Sequence, residues 1–233
     1  MFKLKRITSS EELTSSEESA AAQEPAADLF VVEDLARRVW NEYYGTILSQ
    51  GQINYMLKKF QSAEAIQQQI ADGYEYYLIE YQNTAADTVA DTAADTAADT
   101  AANTAADTAA QYTDADCLAS HPAEDCRLPV GYFSIKAAQD FKAAEDSAGR
   151  MKLFLSKLYI LKEFRGRGAG SCVFDFLEQT AKANCLDAIW LTVNKYNKDS
   201  ISVYQHRGYD IVREQVADIG NGYVMDDYIM QKR

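Results

Sequence analysis

The residues that could do chemistry are concentrated in one glycine-rich turn in the second half of the chain. Residues 165–171 read Arg-Gly-Arg-Gly-Ala-Gly-Ser, after an apolar strand pattern and before an apolar helix pattern. Glycines let the backbone approach a bulky phosphate, successive N–H groups can point into the gap, and the helix N-terminus adds about half a positive charge. Arg165 and Arg167 can add charge-assisted hydrogen bonds. The turn therefore predicts an anion site suited to a phosphate.

The residues of the turn also permit other interpretations. The turn could simply join a strand to a helix. A Walker-type phosphate loop is excluded, because no Lys-Ser or Lys-Thr pair closes the turn. A dinucleotide site would need Gly-x-Gly-x-x-Gly, whereas the spacing of Gly166, Gly168 and Gly170 is compressed, although Asp187 stands near the place of a ribose-binding acid. Only one strand-helix-strand unit is left after residue 160, too little for a doubly wound domain.

A second group of candidate residues lies further along, around the helix expected over 198–206. Tyr204 carries a phenol with an ordinary pKa of about 10, a group that can donate a proton. Its spacing of three from Ile201 is more typical of an aromatic residue in the core. Asn197 stands where a side chain could cap this helix. Both residues keep a structural and a chemical interpretation on spacing alone.

The hydrophobic pattern predicts an α/β fold that positions these residues. Alternating or apolar runs predict strands at 2–7, 76–81, 130–135, 153–161, 188–193, 209–217 and 223–231. Helical spacing predicts helices at 29–49, 50–72, 168–184 and 198–206, the last of them ended by Gly208. Short connections between strands and helices imply one mixed central sheet with helices on both faces.

A low-complexity insertion interrupts this pattern. Residues 84–111 repeat Thr-Ala-Ala-Asp seven times with three departures, and a shorter repeat occupies 8–19. A period of four cannot hold one helical face, and Ala, Thr and Asp offer no large side chain to bury. We therefore predict a single domain formed by 1–82 and 127–233, with a disordered insertion, 83–126, in the β-turn between the strands at 76–81 and 130–135.

The net charge is also best considered separately for the insertion and for the rest of the chain. The 233 residues carry 23 Lys and Arg against 35 Asp and Glu, a net charge of −12, which argues against DNA, RNA or an anionic membrane as a partner. Residues 83–126 hold nine of these acids and no Lys or Arg, so the rest of the chain is close to neutral. Global acidity therefore says little about the substrate. The sequence has no run of eighteen apolar residues and no secretory stretch at its start, from which we expect a cytoplasmic protein.

Cysteine and histidine are too sparse for a zinc site. The four cysteines, Cys117, Cys126, Cys172 and Cys185, form no Cys-x-x-Cys pair, and there are only two histidines. We expect free thiols and no structural metal. Whether Cys117 and Cys126 pair depends on the compartment, and we take them as reduced.

Two blocks of the sequence resemble the GNAT superfamily of N-acetyltransferases. Arg165, Gly168 and Gly170 match its signature of Arg or Gln, two residues, Gly, one residue, then Gly or Ala. The second block, a strand, an Asn, a helix bearing Tyr and a closing Gly-aromatic pair, is similar to residues 190–209. Residues 40–44, 189–191 and 223–230 look like the bacterial spermidine/spermine N-acetyltransferases of the Pai type.

The resemblance implies a GNAT-like fold with two splayed parallel strands that hold acetyl-CoA, the acetyl donor, without a metal. The backbone of 159–160 would pair with the pantetheine arm, and the N–H groups of 165–171 would hold the pyrophosphate. A strand N–H near 158–160 would stabilise the developing oxyanion, and Tyr204 would act as the general acid. The implied cofactor-binding residues are Tyr159, Ile160, Arg165, Gly166, Arg167, Gly168, Ala169, Gly170, Ser171 and Asn197.

The resemblance also implies direct attack by the primary amine of a small cationic acceptor, with a polyamine first among the acceptors. A protein N-terminus, a lysine or an aminoglycoside remains an alternative acceptor. A hypothesis of another class is a sensor or interaction module that binds acetyl-CoA without turnover. Members of the superfamily often dimerise, so a homodimer stays open.

The general base is the least defined part of this mechanism. Where some relatives carry an acid, before the pantetheine strand, this chain has Ser156-Lys157. Three acids remain as candidate bases, Glu42, Asp226 and Asp227. Four tyrosines, Tyr43, Tyr44, Tyr76 and Tyr77, are candidates to line an acceptor cleft through cation–π contacts.

Overall fold

A computed structural model describes residues 1–8, 25–82, 127–138 and 151–233. Within these ranges a seven-stranded mixed sheet has the order β1-β2-β3-β4-β5-β7-β6. The strands are β1 (Phe2–Ile7), β2 (Glu75–Gln82), β3 (Arg127–Ala138), β4 (Lys152–Ile160), β5 (Ile189–Asn194), β6 (Asp210–Gly220) and β7 (Tyr223–Lys232). The predicted mixed α/β sheet is confirmed.

Five α-helices cover the sheet in the described ranges: α1 (Pro25–Tyr43), α2 (Gln50–Met56), α3 (Ala63–Ala71), α4 (Ala169–Ala183) and α5 (Lys198–His206). The helix predicted over 29–49 begins earlier, at Pro25, and ends at Tyr43, where a 3₁₀ turn, Tyr44–Thr46, follows. None of these helices is both long and apolar enough to cross a membrane.

The single helix predicted over 50–72 is wrong. Residues Leu57–Gln61 form a π-helical turn after α2. Ser62 then takes an extended conformation, with ψ of 156°, and its hydroxyl accepts the N–H of Ala65 to cap a new helix, α3. The chain therefore bends twice where one continuous helix was expected, and the bend places Phe60 and Gln61 over the sheet.

Strands β2 and β3 form the antiparallel hairpin predicted to carry the insertion. Their register runs from Glu75 opposite Ile135 to Gln82 opposite Arg127. Gln82 and Arg127 are thus direct neighbours across the ladder, so the segment between them leaves and re-enters at one point of the sheet. The predicted insertion 83–126, its disorder, Cys117 and Cys126 lie outside the described residues.

Helices pack on both faces of the sheet and form two apolar cores. On one face α4 contributes Val173, Phe174 and Leu177 to a core with β3, β4 and β5. On the other face α1, α2 and α3 surround a core that contains Trp40 and Ile53. We call these the α4 face and the α1 face. Burial on both sides explains why several strands read as nearly continuous apolar runs.

Candidate active site

A gap between the central parallel strands β4 and β5 is the main irregularity of the sheet. The two strands pair only through Leu153–Leu155 opposite Ile189–Leu191. Beyond this point β4 continues to Ile160 and β5 to Asn194 without pairing to each other. Their facing backbone groups are therefore open to a ligand. The predicted splay of parallel strands is confirmed.

A β-bulge in β4 lies where the strands separate. On the neighbouring strand, Ser134 is opposite Lys157 while Ile135 is opposite Leu155, so Ser156 has no partner in the register. The extra residue reverses which side chains face which side. Leu153 and Leu155 point to the α4 face, whereas Tyr159 packs in the core of the α1 face.

A cleft of about 660 Å³ opens at this gap and extends across the α1 face. We call it the central cleft. Its walls come from α1, the bent α2–α3 segment, β4, β5, α5 and β7. The lining residues discussed below are Tyr43, Tyr44, Lys157, Tyr159, Ile160, Arg165, Asn197, Tyr204, Met225 and Asp227.

The glycine-rich turn leads into the N-terminus of α4 with unusual backbone geometry. Gly166 and Gly168 have φ of +73° and +98°, which L-residues with a Cβ rarely adopt. Gly168 is the N-cap, and no side chain caps the helix. The first N–H groups of an α-helix have no partner inside it, so these donors are available to an anion. The N–H of Arg165 is already bonded to the Lys162 carbonyl at 3.2 Å, so the free series begins at Gly166.

The two arginines of the turn contact the elements on either side of it. Arg165 forms two hydrogen bonds to the Glu42 carboxylate, at 2.5 and 3.2 Å, and its Nε donates to the Ile160 carbonyl at 2.9 Å. The guanidinium of Arg167 lies 5.2 Å from the ring centres of both Tyr81 and Phe164. Arg165 therefore fixes the end of β4 against α1, and Arg167 is held over aromatic rings at the surface.

The remaining predicted residues of the turn lie at the start of α4. Ala169 is buried, and a Cβ at position 170 would lie 3.8 Å from the Ile160 Cδ1 atom. The Ser171 hydroxyl accepts a hydrogen bond from Arg207, which follows α5. The structure thus brings the turn, the free end of β4 and the end of α5 together around the gap.

Tyr204 has both a core environment and access to the central cleft. Its ring lies 6.0 Å from those of Phe174 and Tyr209 in the core of the α4 face. Burial, followed by the phenols of Tyr44, Tyr209 and Tyr43, raises its pKa. The hydroxyl stays protonated well above neutral pH and remains a proton donor. Tyr204 is therefore both an aromatic residue of the core and a candidate proton donor in the cleft.

Asn197 is 4% exposed and caps α5. Its Oδ1 accepts the N–H of Ser200 at 3.0 Å and the Tyr43 hydroxyl at 2.7 Å. It thereby joins α1 to α5 across the open end of the gap. Its predicted contact with the cofactor remains a prediction.

Lys157 is a buried cation at one end of the central cleft, only 7% exposed. Its ammonium donates to the Tyr76 hydroxyl at 2.6 Å and to the Gln69 side chain, both neutral groups. Burial lowers the pKa of Lys157 to about 7. The bulge at Ser156 turns this side chain to the α1 face, where it lines the central cleft.

Asp227 is a buried carboxylate at the other end of the cleft, beyond the gap, and is 5% exposed. It lies on β7 opposite Asn194, the last residue of β5. Burial raises its pKa to about 6, the charge of Asp226 adds to the rise, and Lys195 opposes it. The described part of the chain provides it with no hydrogen-bond or ion-pair partner.

The four tyrosines expected to line the cleft separate into two pairs. Tyr43 and Tyr44 line it. Tyr77 instead stacks on Phe133 in the core of the α4 face, with ring centres 4.8 Å apart. Tyr76 is fully buried under Lys157. The expectation for Tyr76 and Tyr77 is therefore wrong, because alternation along β2 sends both of them into the sheet's covered faces.

The backbone geometry of the gap and of the glycine-rich turn is suited to binding acetyl-CoA. An uncapped helix N-terminus with two positive-φ glycines suits a pyrophosphate, and an unpaired strand edge at residues 156–160 suits the amide groups of a pantetheine arm. Ile160 at the end of β4 and Arg165 at the start of the turn line the same cleft as Tyr204. Such a thioester would supply an activated acyl group there.

Comparison with known proteins agrees with this geometry. The acetyltransferase (GNAT) family profile matches residues 76–209, more than half of the chain. The chain belongs to the acetyltransferase (GNAT) family. The predicted membership of the GNAT superfamily is thereby confirmed.

Individual relatives of this GNAT chain are distant. An uncharacterised N-acetyltransferase of Lactobacillus delbrueckii subsp. lactis is 28% identical over 80 residues, which are 34% of this chain and 46% of that protein. The match thus spans about half the length of the curated relative.

Two solved structures share the GNAT fold over most of the chain. The PaiA N-acetyltransferase of Thermoplasma acidophilum, in complex with coenzyme A, has a TM-score of 0.57 at 15% identity, covering 100% of this chain and 99% of that one. NAA60 of Arabidopsis thaliana, with a bisubstrate analogue, has a TM-score of 0.50 at 12% identity, covering 88% and 92%. Similarities at this level of identity show the fold alone.

Two features of this GNAT site were not resolved by the sequence. Asp227 was one of three candidate acids with nothing to choose between them, and Lys157 was noted only as a departure from the family. The register of β7 and the bulge in β4 decide where these side chains point. Tyr204, Asn197, the end of β4 and the glycine turn are all brought to the gap, as expected.

Proposed function

We propose that this protein transfers an acetyl group from acetyl-CoA to the primary amine of a small cationic acceptor, with Tyr204 protonating the departing thiolate. The observation that carries the proposal is the position of Tyr204 beside a gap where two parallel strands end their pairing after three residue pairs. A donor arm that completes the open edge of β4 would run past this hydroxyl.

Each residue of the site has a definite task in this proposal. The N–H groups from Gly166 onward and the α4 N-terminus bind the pyrophosphate, and the free edge of 159–160 orients the arm. The Asn197–Tyr43 hydrogen bond holds α5 in place. Tyr204 supplies a proton to sulfur as the carbon–sulfur bond breaks. Catalysis then depends mainly on positioning and on fixed amide dipoles.

A polyamine is the first acceptor to test. The support is the sequence similarity to Pai-type enzymes, together with a buried carboxylate, Asp227, and the aromatic rings of Tyr43 and Tyr44 on the walls of the central cleft. A carboxylate and aromatic faces attract an ammonium group. The cleft also contains Lys157, which limits how many positive charges an acceptor can carry into its far end.

The experiment is thiol release from acetyl-CoA with a panel of spermidine, a peptide N-terminus, a lysine peptide and an aminoglycoside. Tyr204→Phe should lower kcat by about 10²- to 10⁴-fold, the usual contribution of a general acid. Tyr209→Phe is the matched control, because it removes a hydroxyl from the same aromatic cluster, and should keep most of the activity. If no amine of the panel releases thiol, the proposed transfer reaction is wrong, and binding of acetyl-CoA alone would favour a sensor.

A further inference from the structure

Asp227 has the environment of a functional carboxylate. It is 5% exposed, lies in the wall of the central cleft and has no hydrogen-bond or ion-pair partner in the described ranges. Burying a carboxylate without a hydrogen bond or an ion pair is costly, and the more distant charge of Lys195 offsets only part of that cost, since the pKa of Asp227 remains raised. The charge is therefore available to a ligand that enters the cleft.

The strand geometry places Asp227 on the α1 face of the sheet, in the cleft that Tyr204 also lines. Successive side chains of β7 alternate between faces, so Tyr223, Met225 and Asp227 share one side, and Tyr223 and Met225 pack in the core of the α1 face. Tyr204 instead packs in the core of the α4 face. Its phenol nevertheless interacts with those of Tyr43 and Tyr44 in the central cleft, and the Tyr44 phenol also interacts with Asp227. A reacting centre in the gap thus meets the Tyr204 hydroxyl and the Asp227 carboxylate in the same cleft.

The two other acids considered as bases are already engaged. Glu42 is bound by Arg165 through two hydrogen bonds. Asp226 is on the opposite side of β7 from Asp227 and forms an ion pair of 2.6 Å with Lys195. Neither of them is among the residues that line the central cleft. Asp227 is the acid of the three that meets an acceptor.

We propose that Asp227 is the general base of the reaction: its carboxylate takes the proton from the ammonium group of the acceptor. This inference rests on the proposed N-acetyl transfer and names the group that makes the amine nucleophilic. At pH 7 an amine with a pKa near 10 is neutral in about one molecule in a thousand. A base in the cleft would therefore speed the reaction by removing the proton that prevents attack by the nitrogen.

The proton balance closes with the groups present. The ammonium proton moves to Asp227, the neutral amine forms a bond to the acetyl carbon, and the carbon–sulfur bond breaks. Tyr204 gives its proton to sulfur and regains the proton that nitrogen loses on becoming an amide. Asp227 finally releases its proton to solvent, which leaves the net products amide, thiol and one proton.

The charged and titratable groups around Asp227 set the pH range of this step. Asp226 on the same strand and Lys195 after β5 act on it from one side, and the Tyr44 phenol faces it from the segment after α1. Since burial raises the pKa of Asp227 to about 6, the carboxylate is mostly ionised at pH 7. Lys157, whose pKa burial lowers to about 7, is the rival base in the same cleft.

The test compares Asp227→Asn with Asp226→Asn and Lys157→Gln, using the best acceptor of the wild type. At pH 7 and saturating acceptor, Asp227→Asn should lose about 10²-fold or more in kcat with little change in KM for acetyl-CoA. The loss should shrink as the pH rises toward the pKa of the amine. It should also shrink for primary amines whose own pKa is near 7, because these are already neutral.

The pH profile of kcat/KM separates a base from a simple anchor for the cation. The wild type should show an acidic limb near pH 6 that disappears in Asp227→Asn. The limb should persist in Asp226→Asn, moved to lower pH because the Asp226 charge no longer raises the pKa of Asp227.

Two outcomes would contradict this assignment. If Asp227→Asn raises the KM for the acceptor and leaves kcat unchanged, Asp227 only anchors the cation. If the limb is lost in Lys157→Gln alone, the base is Lys157. Either outcome overturns the inference, while an inactive wild type would overturn the proposed function itself.

Discussion

Replacing Asp227 by Asn should make the fold more stable at neutral and mildly alkaline pH while it removes activity. The folded-state pKa of Asp227 is raised from its ordinary 3.8 to about 6, because burial disfavours the charged form. A group with a raised folded pKa contributes stability that is fully present below its unfolded pKa and is lost as the pH rises through the folded pKa. In the wild type, the stability contributed by Asp227 is thus present at pH 3 and gone by pH 8.

The magnitude follows from the size of the shift. A shift of about two pKa units corresponds to about 3 kcal/mol, of which roughly 2 to 3 kcal/mol is expressed between pH 4 and pH 8. Asn cannot titrate, so the stability of Asp227→Asn relative to the wild type should be greater at pH 8 than at pH 4 by this amount. Any pH-independent effect of the amide cancels in the difference, and so does the titration of Lys157, which both proteins contain.

The assay is urea unfolding of both proteins at pH 4, 6 and 8, with the free energy of unfolding obtained by linear extrapolation. Asp226→Asn is the control. It removes the ion pair with Lys195, and should change stability only slightly at each pH, as expected for a partly exposed pair. If the difference between Asp227→Asn and the wild type is the same at all three pH values, the burial of an ionised carboxylate is refuted.

Two glycines give further predictions about the donor site. Gly131→Ala would place a Cβ 2.5 Å from the Tyr159 carbonyl oxygen, so β4 must shift; we expect a loss of about 1–3 kcal/mol by chemical unfolding and a raised KM for acetyl-CoA. Gly168→Ala forces a Cβ at φ of +98° and should cost about 1–2 kcal/mol, again with weaker donor binding by calorimetry. Gly45→Ala, with no atom within 4 Å of its Cβ, is the control for both; equal effects at Gly45 would contradict the steric explanation.

Most of the fold was predictable because the strands read as alternating or continuous apolar runs and several turns carry glycine. The failure over 50–72 has a local cause. Ile53, Met56, Leu57 and Phe60 keep helical spacing through the π-helical turn, so the pattern gives no sign of the break at Ser62. A serine can face solvent inside a helix or cap a new one, and only its neighbours in space decide.

The glycine turn and Tyr204 could be placed from sequence, whereas the charged groups of the cleft could not. Strict alternation would put Lys157 on the same face as Leu155, but the bulge at Ser156 reverses it. On β7 the neighbours Asp226 and Asp227 lie on a strand covered on both faces, so the hydrophobic pattern does not tell which acid is buried. Register and bulges are properties of strand pairing, and a single strand's sequence contains only part of that information.

The three residue pairs between β4 and β5 have a consequence for the cohesion of the whole molecule. They are the only ladder contacts in the described sheet between β1–β4 on one side and β5, β7 and β6 on the other. A donor bound in the gap would contact both halves of the sheet and hold them together. By mass action it should add about 2.7 kcal/mol to stability at a hundred times its Kd. Donor binding and unfolding of this protein are thus linked equilibria, so that occupancy of the gap can be measured as resistance to unfolding.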